Sequence, residues 1–143
     1  HSAGIENTTS WQVHWMDQNN VFACFSDIRG MRSTDGGLSW SFNYSGLNAN
    51  STYRVAQHPT NGTVYAATSN IHDMYQSTRL QDAILDGTDN EGKLLYSTNN
   101  GQNWQLLHNF GHPVFWIVLD PNNANRAYAS VIHYNGGNVQ DNR

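Results

Sequence analysis

Asp27 is the side chain whose type and setting in the sequence most readily suggest chemistry. It follows the apolar run Val21–Phe25 and stands in the irregular segment Ser26–Gly30. A carboxylate at the end of a strand can act as a general acid or base, or it can hydrogen-bond the hydroxyls of a ligand. The simpler interpretation is an acid that caps a turn, since isolated acids are more often structural. Arg29, two residues further on, is a candidate for binding substrate beside it.

A second group of candidates lies in the long segment 69–92. Near its beginning, Asn70 occupies the position that Asp27 has in an earlier, similar segment. Polar and aromatic residues suited to binding a sugar follow: His72, Asp73 and Tyr75. The spacing of the apolar residues in 76–85 predicts a short helix. Long loops on a rigid scaffold are where binding groups usually lie, so this segment is a predicted binding loop.

The remaining reactive side chains predict no metal or cofactor. Asp86, Asp89 and Glu91 resemble calcium-binding spacing only loosely, without the glycine turn and full ligand series of a calcium loop. We therefore expect a solvated loop there. The single cysteine, Cys24, lies within an apolar run, where the expected role is that of a small buried hydrophobic residue.

The charge and composition of the chain exclude several classes of partner. The formal net charge is -4, charged residues make up 13%, and Lys93 is the only lysine. Without a basic patch, binding to nucleic acid or to an anionic membrane surface is not expected. No apolar stretch approaches the roughly 20 residues that span a bilayer, so membrane insertion is not expected either. Aromatic residues make up 12% of the chain and favour β-strands.

An internal repeat supplies the elements that must position these residues. An apolar strand, a turn and a second strand that ends in small residues occur three times, over 12–24, 54–68 and 116–130. In the first two copies a third strand follows, over 30–33 and 93–97. After a glycine-centred turn comes a fourth strand that begins with tryptophan, over 40–44 and 104–107. Four short antiparallel strands in about 40–45 residues have the length of one β-propeller blade.

The sequence therefore predicts an all-β fold made of two complete blades and part of a third. The predicted blades cover about 11–45, about 53–108 and about 114–140 within one partial propeller domain, 1–143. Two and a half blades cannot close a ring, and propellers need at least four blades. We expect further blades of a longer protein, or other chains, to complete the ring, because open sheet edges would otherwise remain unpaired.

The glycine-centred turns of the first two copies share one pattern. Its predicted structural residues are Ser33, Asp35, Gly37 and Trp40 in the first turn, and Ser97, Asn99, Gly101 and Trp104 in the second. The side chain of Asp35 can accept backbone N–H bonds across its turn, and Gly37 can take a positive φ. The ring of Trp40 can then pack beneath the turn.

This pattern, Ser/Thr-x-Asp-x-Gly-x-Ser/Thr-Trp, resembles the Asp-box (BNR repeat) of a group of β-propellers. The group includes sialidases, sortilin-like receptors and the xyloglucan-active hydrolases of glycoside hydrolase family 74. The second turn resembles the box with Asn99 in place of the aspartate. The resemblance implies that both boxes are structural. In a four-stranded blade they lie opposite the loop between the second and third strands, which leaves Asp27 and the segment 69–92 as candidates for function.

The segment Ser26-Asp27-Ile28-Arg29-Gly30 resembles the Asp-Ile-Gly-Gly segments that carry the catalytic carboxylates of family 74 hydrolases. Asp27 matches the catalytic aspartate, and Arg29 stands where the first glycine would be. The resemblance implies a secreted or cell-surface propeller that acts on a polysaccharide or other glycan, with Asp27 as one of two carboxylates. The alternative is a non-catalytic propeller that binds glycan or protein as a scaffold, because Asp-boxes alone do not imply catalysis.

Overall fold

The computed structural model describes residues 8–71 and 92–132. Within these residues every regular element is a β-strand, and the nine strands pair antiparallel to form three sheets. This confirms the predicted all-β class.

Each sheet is a meander in which consecutive strands are neighbours. Sheet A contains β1 (Ser10–Trp15), β2 (Val21–Phe25) and β3 (Gly30–Ser33). Sheet B contains β4 (Ser51–Gln57), β5 (Val64–Ser69), β6 (Lys93–Ser97) and β7 (Gln105–Asn109). Sheet C contains β8 (Val114–Leu119) and β9 (Ala127–Val131). The three strand–turn–strand repeats seen in the sequence are therefore three hairpins.

The predicted fourth strand of the first repeat, over 40–44, is wrong. The backbones of Arg32 and Ser41 exchange two hydrogen bonds of 2.9 Å, but this is a single isolated bridge. The N–H of Tyr44 donates instead to the carbonyl of Phe42 at 2.8 Å, and this local turn takes the place of further pairing. Sheet A therefore has three strands and one bridge, whereas sheet B has all four predicted strands.

Sheets A and B pack against each other through a buried apolar cluster. The rings of Phe22 and Trp104 make an edge-to-face contact with 5.5 Å between centroids, and Val55 is fully buried in the same cluster. The side-chain amide of Gln12 also accepts from the N–H of Val55 at 2.7 Å and donates to its carbonyl at 3.1 Å. Apolar burial and these backbone contacts together stabilise the interface.

Sheet B lies between sheets A and C. Ala66 belongs to the cluster shared with sheet A, and Ala67 to a second cluster shared with sheet C. Successive residues of a strand point to opposite faces, so the two clusters cover opposite faces of sheet B. Across the second interface the guanidinium of Arg54 lies 4.2 Å from the centroid of the Trp116 ring.

The first strands of all three sheets meet in one aromatic cluster. The ring of Trp11 on β1 lies 5.0 Å from that of Tyr53 on β4 and 5.6 Å from that of Phe115, which follows Val114 on β8. The rings of Tyr53 and Phe115 are 5.3 Å apart. Such contacts stabilise beyond the area they bury. The strands that begin each repeat therefore converge.

Candidate functional site

The turn after β3 is stabilised by its own side chains. The hydroxyl of Ser33 donates to Oδ1 of Asp35 at 2.8 Å and accepts from the N–H of Gly37 at 2.8 Å. The same Oδ1 accepts from the N–H of Ser39 at 2.9 Å. Gly37 has φ of 91°, and the indole N–H of Trp40 donates to its carbonyl at 3.0 Å. The carboxylate of Asp35 thus accepts hydrogen bonds from both sides of its own turn.

The turn after β6 repeats the contacts of the serine and of the acceptor side chain with an amide in place of the carboxylate, but the indole N–H of Trp104 is buried without a hydrogen-bond partner among the described residues. The hydroxyl of Ser97 donates to Oδ1 of Asn99 at 2.9 Å and accepts from the N–H of Gly101 at 3.0 Å. The N–H of Asn103 donates to Oδ1 of Asn99 at 2.9 Å. A neutral acceptor is therefore sufficient for this turn.

The difference between the two turns predicts a local response to acid. Hydrogen bonds from the hydroxyl and the N–H of Ser39 lower the pKa of Asp35 from 3.8 to about 2. Because the folded pKa lies below the unfolded one, these bonds stabilise the turn fully above about pH 4, and their contribution is lost as the pH falls through 2. We expect the hydrogen-exchange protection of the Ser39 amide to fall over that window. Protection of the Asn103 amide, measured by NMR in the same samples, should not change, and a parallel loss at both amides would contradict the prediction.

Both turns lie at the end of the sheets where the β1–β2 hairpin also turns. The N–H of Gly36 donates to the carbonyl of Asn19 at 2.9 Å. The side-chain amide of Asn100 donates to Oδ2 of Asp17 at 2.9 Å, and the guanidinium of Arg32 donates to the carbonyl of Asn100 at 2.9 Å. These contacts join sheets A and B, so the side chains at this end have structural partners.

The β2–β3 loop lies at the opposite end and has a strained backbone. Asp27 has φ of 68° and Arg29 has φ of 67°. The N–H of Ile28 donates to the carbonyl of Ser26, and the N–H of Gly30 donates to the carbonyl of Ile28, both at 2.8 Å. These are two successive γ-turns of the positive-φ type, which is rare and strained. Each such residue costs about 1–3 kcal/mol and persists only where its surroundings enforce it.

Glycine takes the backbone conformation of Arg29 without strain. The Asp-Ile-Gly-Gly pattern would have a glycine at this position. Of the three non-glycine residues with positive φ in 8–71 and 92–132, two are Asp27 and Arg29. Backbone strain outside glycine is thus concentrated at the loop that carries the candidate carboxylate.

Contacts from two distant segments enforce the loop. The indole N–H of Trp11 donates to the hydroxyl of Ser26 at 2.8 Å, and the hydroxyl of Tyr44 donates to the carbonyl of Gly30 at 2.7 Å. Burial raises the pKa of Tyr44 to about 12, so its phenol remains a donor at neutral pH. The loop is therefore anchored at both ends.

The middle of the loop is anchored by Asn50. Its carbonyl accepts from the N–H of Arg29 at 2.9 Å, and its side-chain amide donates to Oδ1 of Asp27 at 3.4 Å. The side chains of Asp27 and Arg29 remain exposed. The backbone is thus restrained while the carboxylate and the guanidinium face solvent, as expected of groups that meet a ligand.

A shallow depression is lined by Asp27, Ile28, Arg29 and Phe42. Phe42 is exposed, and its ring supplies an apolar surface beside the two charged groups. A carboxylate and a guanidinium can hydrogen-bond hydroxyl groups, while an aromatic face can stack on the C–H face of a sugar ring. Phe42 was missed by the sequence interpretation because it was assigned to the interior of a fourth strand. Its exposure has no signal in the sequence, because residues 40–44 have the composition of a strand.

Asn70, the other predicted binding residue within the described part of the chain, does not line this depression. Asn70 is half-buried and lines a different one, together with Lys93 and Asn48. His72, Asp73 and Tyr75 and the predicted helix over 76–85 lie outside the described residues, as do Asp86, Asp89 and Glu91. Of the three predicted catalytic and binding residues within 8–71 and 92–132, Asp27 and Arg29 line one depression together.

Residues 8–71 and 92–132 contain neither a metal site nor a reactive cysteine. No group of three or more His, Cys, Asp or Glu side chains in these residues is placed to bind a metal ion. Cys24 is completely buried as predicted, and burial raises the pKa of its thiol, which makes the thiol unreactive. The same part of the chain contains no helix long and apolar enough to cross a membrane.

Comparison with known proteins assigns no relative. No family model matches the chain, and no curated protein matches it. The functional interpretation therefore depends on the residues and geometry described above.

Proposed function

We propose that this chain is part of a secreted, Asp-box β-propeller that binds a polysaccharide at the depression around Asp27 and hydrolyses it. The observation that carries the proposal is the strained β2–β3 loop. Two non-glycine residues with positive φ present an exposed carboxylate and guanidinium beside an exposed aromatic ring. Strain of this kind clusters at functional sites and persists where the surrounding structure enforces it.

Three features support the propeller part of the proposal. The sheets are stacked meanders, with sheet B between its neighbours, and the first strands of all three converge on one aromatic cluster. In both box turns the serine hydroxyl accepts from the N–H of the glycine, and the side chain two residues after the serine accepts from the N–H four residues further on. Repetition of one sheet around a common axis is the propeller plan.

The chemistry follows from the groups in the depression. In its protonated form Asp27 would donate a proton to the oxygen that leaves the glycosidic bond, or as a carboxylate it would activate water. Arg29 would hydrogen-bond sugar hydroxyls. Phe42 would provide a stacking surface for one ring. Hydrolysis requires a second carboxylate, which this proposal assigns to another repeat of the propeller.

One observation favours the non-catalytic alternative. Among the described residues that line the depression, Asp27 is the sole carboxylate. A site with one carboxylate can bind a glycan without cleaving it, and the protein would then be a glycan-binding scaffold.

The test compares Asp27→Asn with Asp35→Asn in the full-length protein that carries the other repeats, across a panel of plant and bacterial polysaccharides. Asp27→Asn should lower turnover at least about 100-fold, because a general acid or base contributes on that order. Asp35→Asn places at the first box the residue that the second box already has, and should leave turnover unchanged. Unchanged turnover in both variants would contradict the catalytic proposal, and glycan binding without any hydrolysis in the wild type would support the alternative.

A further inference from the structure

The register of the sheets identifies equivalent residues in the three repeats. Val13, Val55 and Ile117 each pair with the third residue of the following strand. Val55 and Ile117 are 0% and 1% exposed because each packs against the preceding sheet, whereas Val13 is 45% exposed. Trp15 is two residues further along β1, on the same face, and is 57% exposed. The face of sheet A that carries Val13 is therefore exposed, whereas the equivalent faces of sheets B and C are buried.

On the opposite face of the sheets, the exposure of equivalent residues increases from sheet A to sheet C. Phe22, Tyr65 and Tyr128 each occupy the second position of the second strand in their repeat. Phe22 is fully buried against sheet B, Tyr65 is half-buried, and Tyr128 on sheet C is 58% exposed. Val118 pairs directly with Tyr128 and is 51% exposed. The face of sheet C that carries Tyr128 is therefore exposed, whereas the equivalent face of sheet A is buried against sheet B.

The open faces of sheets A and C are therefore equivalent to the two faces that pack together between sheets A and B. Between sheets A and B, the face of sheet A that carries Phe22 packs on the face of sheet B that carries Val55. The Tyr128 face of sheet C and the Val13 face of sheet A are the equivalents of these two faces. Their exposed aromatic and aliphatic side chains have the composition of an interaction surface.

We propose that a second copy of this chain docks the Val13 face of its sheet A on the Tyr128 face of sheet C. The contact continues the stacking of sheets from one molecule to the next. Because the two faces differ, the association is head to tail and not two-fold symmetric. The proposal does not depend on any activity at Asp27.

The test uses one acidic substitution on each face, Val13→Glu and Val118→Glu, with Leu38→Glu as the matched control. Leu38 is 89% exposed in the first box turn. Wild type and Leu38→Glu should increase in mass with concentration in sedimentation velocity. Each face variant alone should remain monomeric, with association weakened at least about tenfold, because an unpaired carboxylate would be buried. An equimolar mixture of the two face variants should form a dimer and nothing larger, since one intact face of each kind remains.

The mixture also guards against misfolding, because a variant that does not fold cannot restore association. A mixture that remains monomeric would overturn the proposal, and so would a wild type that is monomeric at every concentration. Association of either face variant with itself would also overturn it, because that outcome requires a symmetric contact.

Discussion

Replacing Gly46 by alanine is expected to lower the free energy of unfolding by about 2–5 kcal/mol. Gly46 has φ of 82°, a region that costs an L-residue about 1–2 kcal/mol. A Cβ atom there would also lie 1.9 Å from the carbonyl oxygen of Trp104, and overpacking adds about 1–3 kcal/mol. The obstructing atom belongs to the backbone of Trp104, whose N–H donates to the carbonyl of Ser45 at 2.9 Å. It cannot move aside without disturbing the contact between sheets A and B.

Gly111→Ala is the matched control for this prediction. Gly111 has φ of 67°, but a Cβ atom there would meet nothing within 4 Å. Its cost should be the conformational part alone, about 1–2 kcal/mol. Urea unfolding of both variants measures the difference. Equal losses would show that the close approach of Gly46 to Trp104 does not contribute to stability.

Trp104→Ala is expected to cost about 3–5 kcal/mol, the usual range for removing a buried tryptophan. Trp104 is 4% exposed and packs against Phe22 across the interface between sheets A and B. Its loss would leave a cavity between two sheets, which the backbone contacts on either side prevent from closing.

The equivalent residue of the first box is the control. Trp40 is half-buried and donates its indole N–H to its own turn, so Trp40→Ala should cost less than about 2 kcal/mol. Thermal and urea unfolding should be measured at low protein concentration, where a head-to-tail contact would not cover sheet A. A larger loss from Trp40→Ala than from Trp104→Ala would contradict the assigned packing.

The strands and box turns were predictable because the interactions that form them are local. The predicted third strands of the first two repeats, 30–33 and 93–97, coincide with β3 and β6. Their alternating and apolar patterns are interpretable residue by residue. Within the box, each hydrogen bond joins residues at most four apart, so the choice of Ser33, Asp35 and Gly37 is sufficient to specify the turn.

The end of the ladder at Ser41 was not predictable in the same way. Residues 40–44 have a strand-like composition, but the chain leaves the sheet where Tyr44 turns to reach the carbonyl of Gly30. That hydrogen bond joins residues 14 apart. The same departure brings Phe42 to the depression beside Asp27. The pattern of residue types does not show whether residues 40–44 continue to pair with the sheet or hydrogen-bond a distant partner.

The candidate site combines both kinds of information. Asp27 and Arg29 could be chosen from the residue pattern, because an acid after an apolar strand is visible in the sequence. Their positive φ values could not be predicted from the residue pattern, because Trp11, Tyr44 and Asn50 enforce them from other parts of the chain.

The box tryptophans show the same division most simply. Trp40 and Trp104 have the same place in the same motif, and nothing near them in sequence distinguishes their burial. Trp104 is buried because sheet A lies against it, and Trp40 is half-exposed because no sheet among the described residues lies in the equivalent position. Local hydrogen bonding therefore specifies the turn, whereas the burial of each tryptophan depends on whether a neighbouring sheet packs against it.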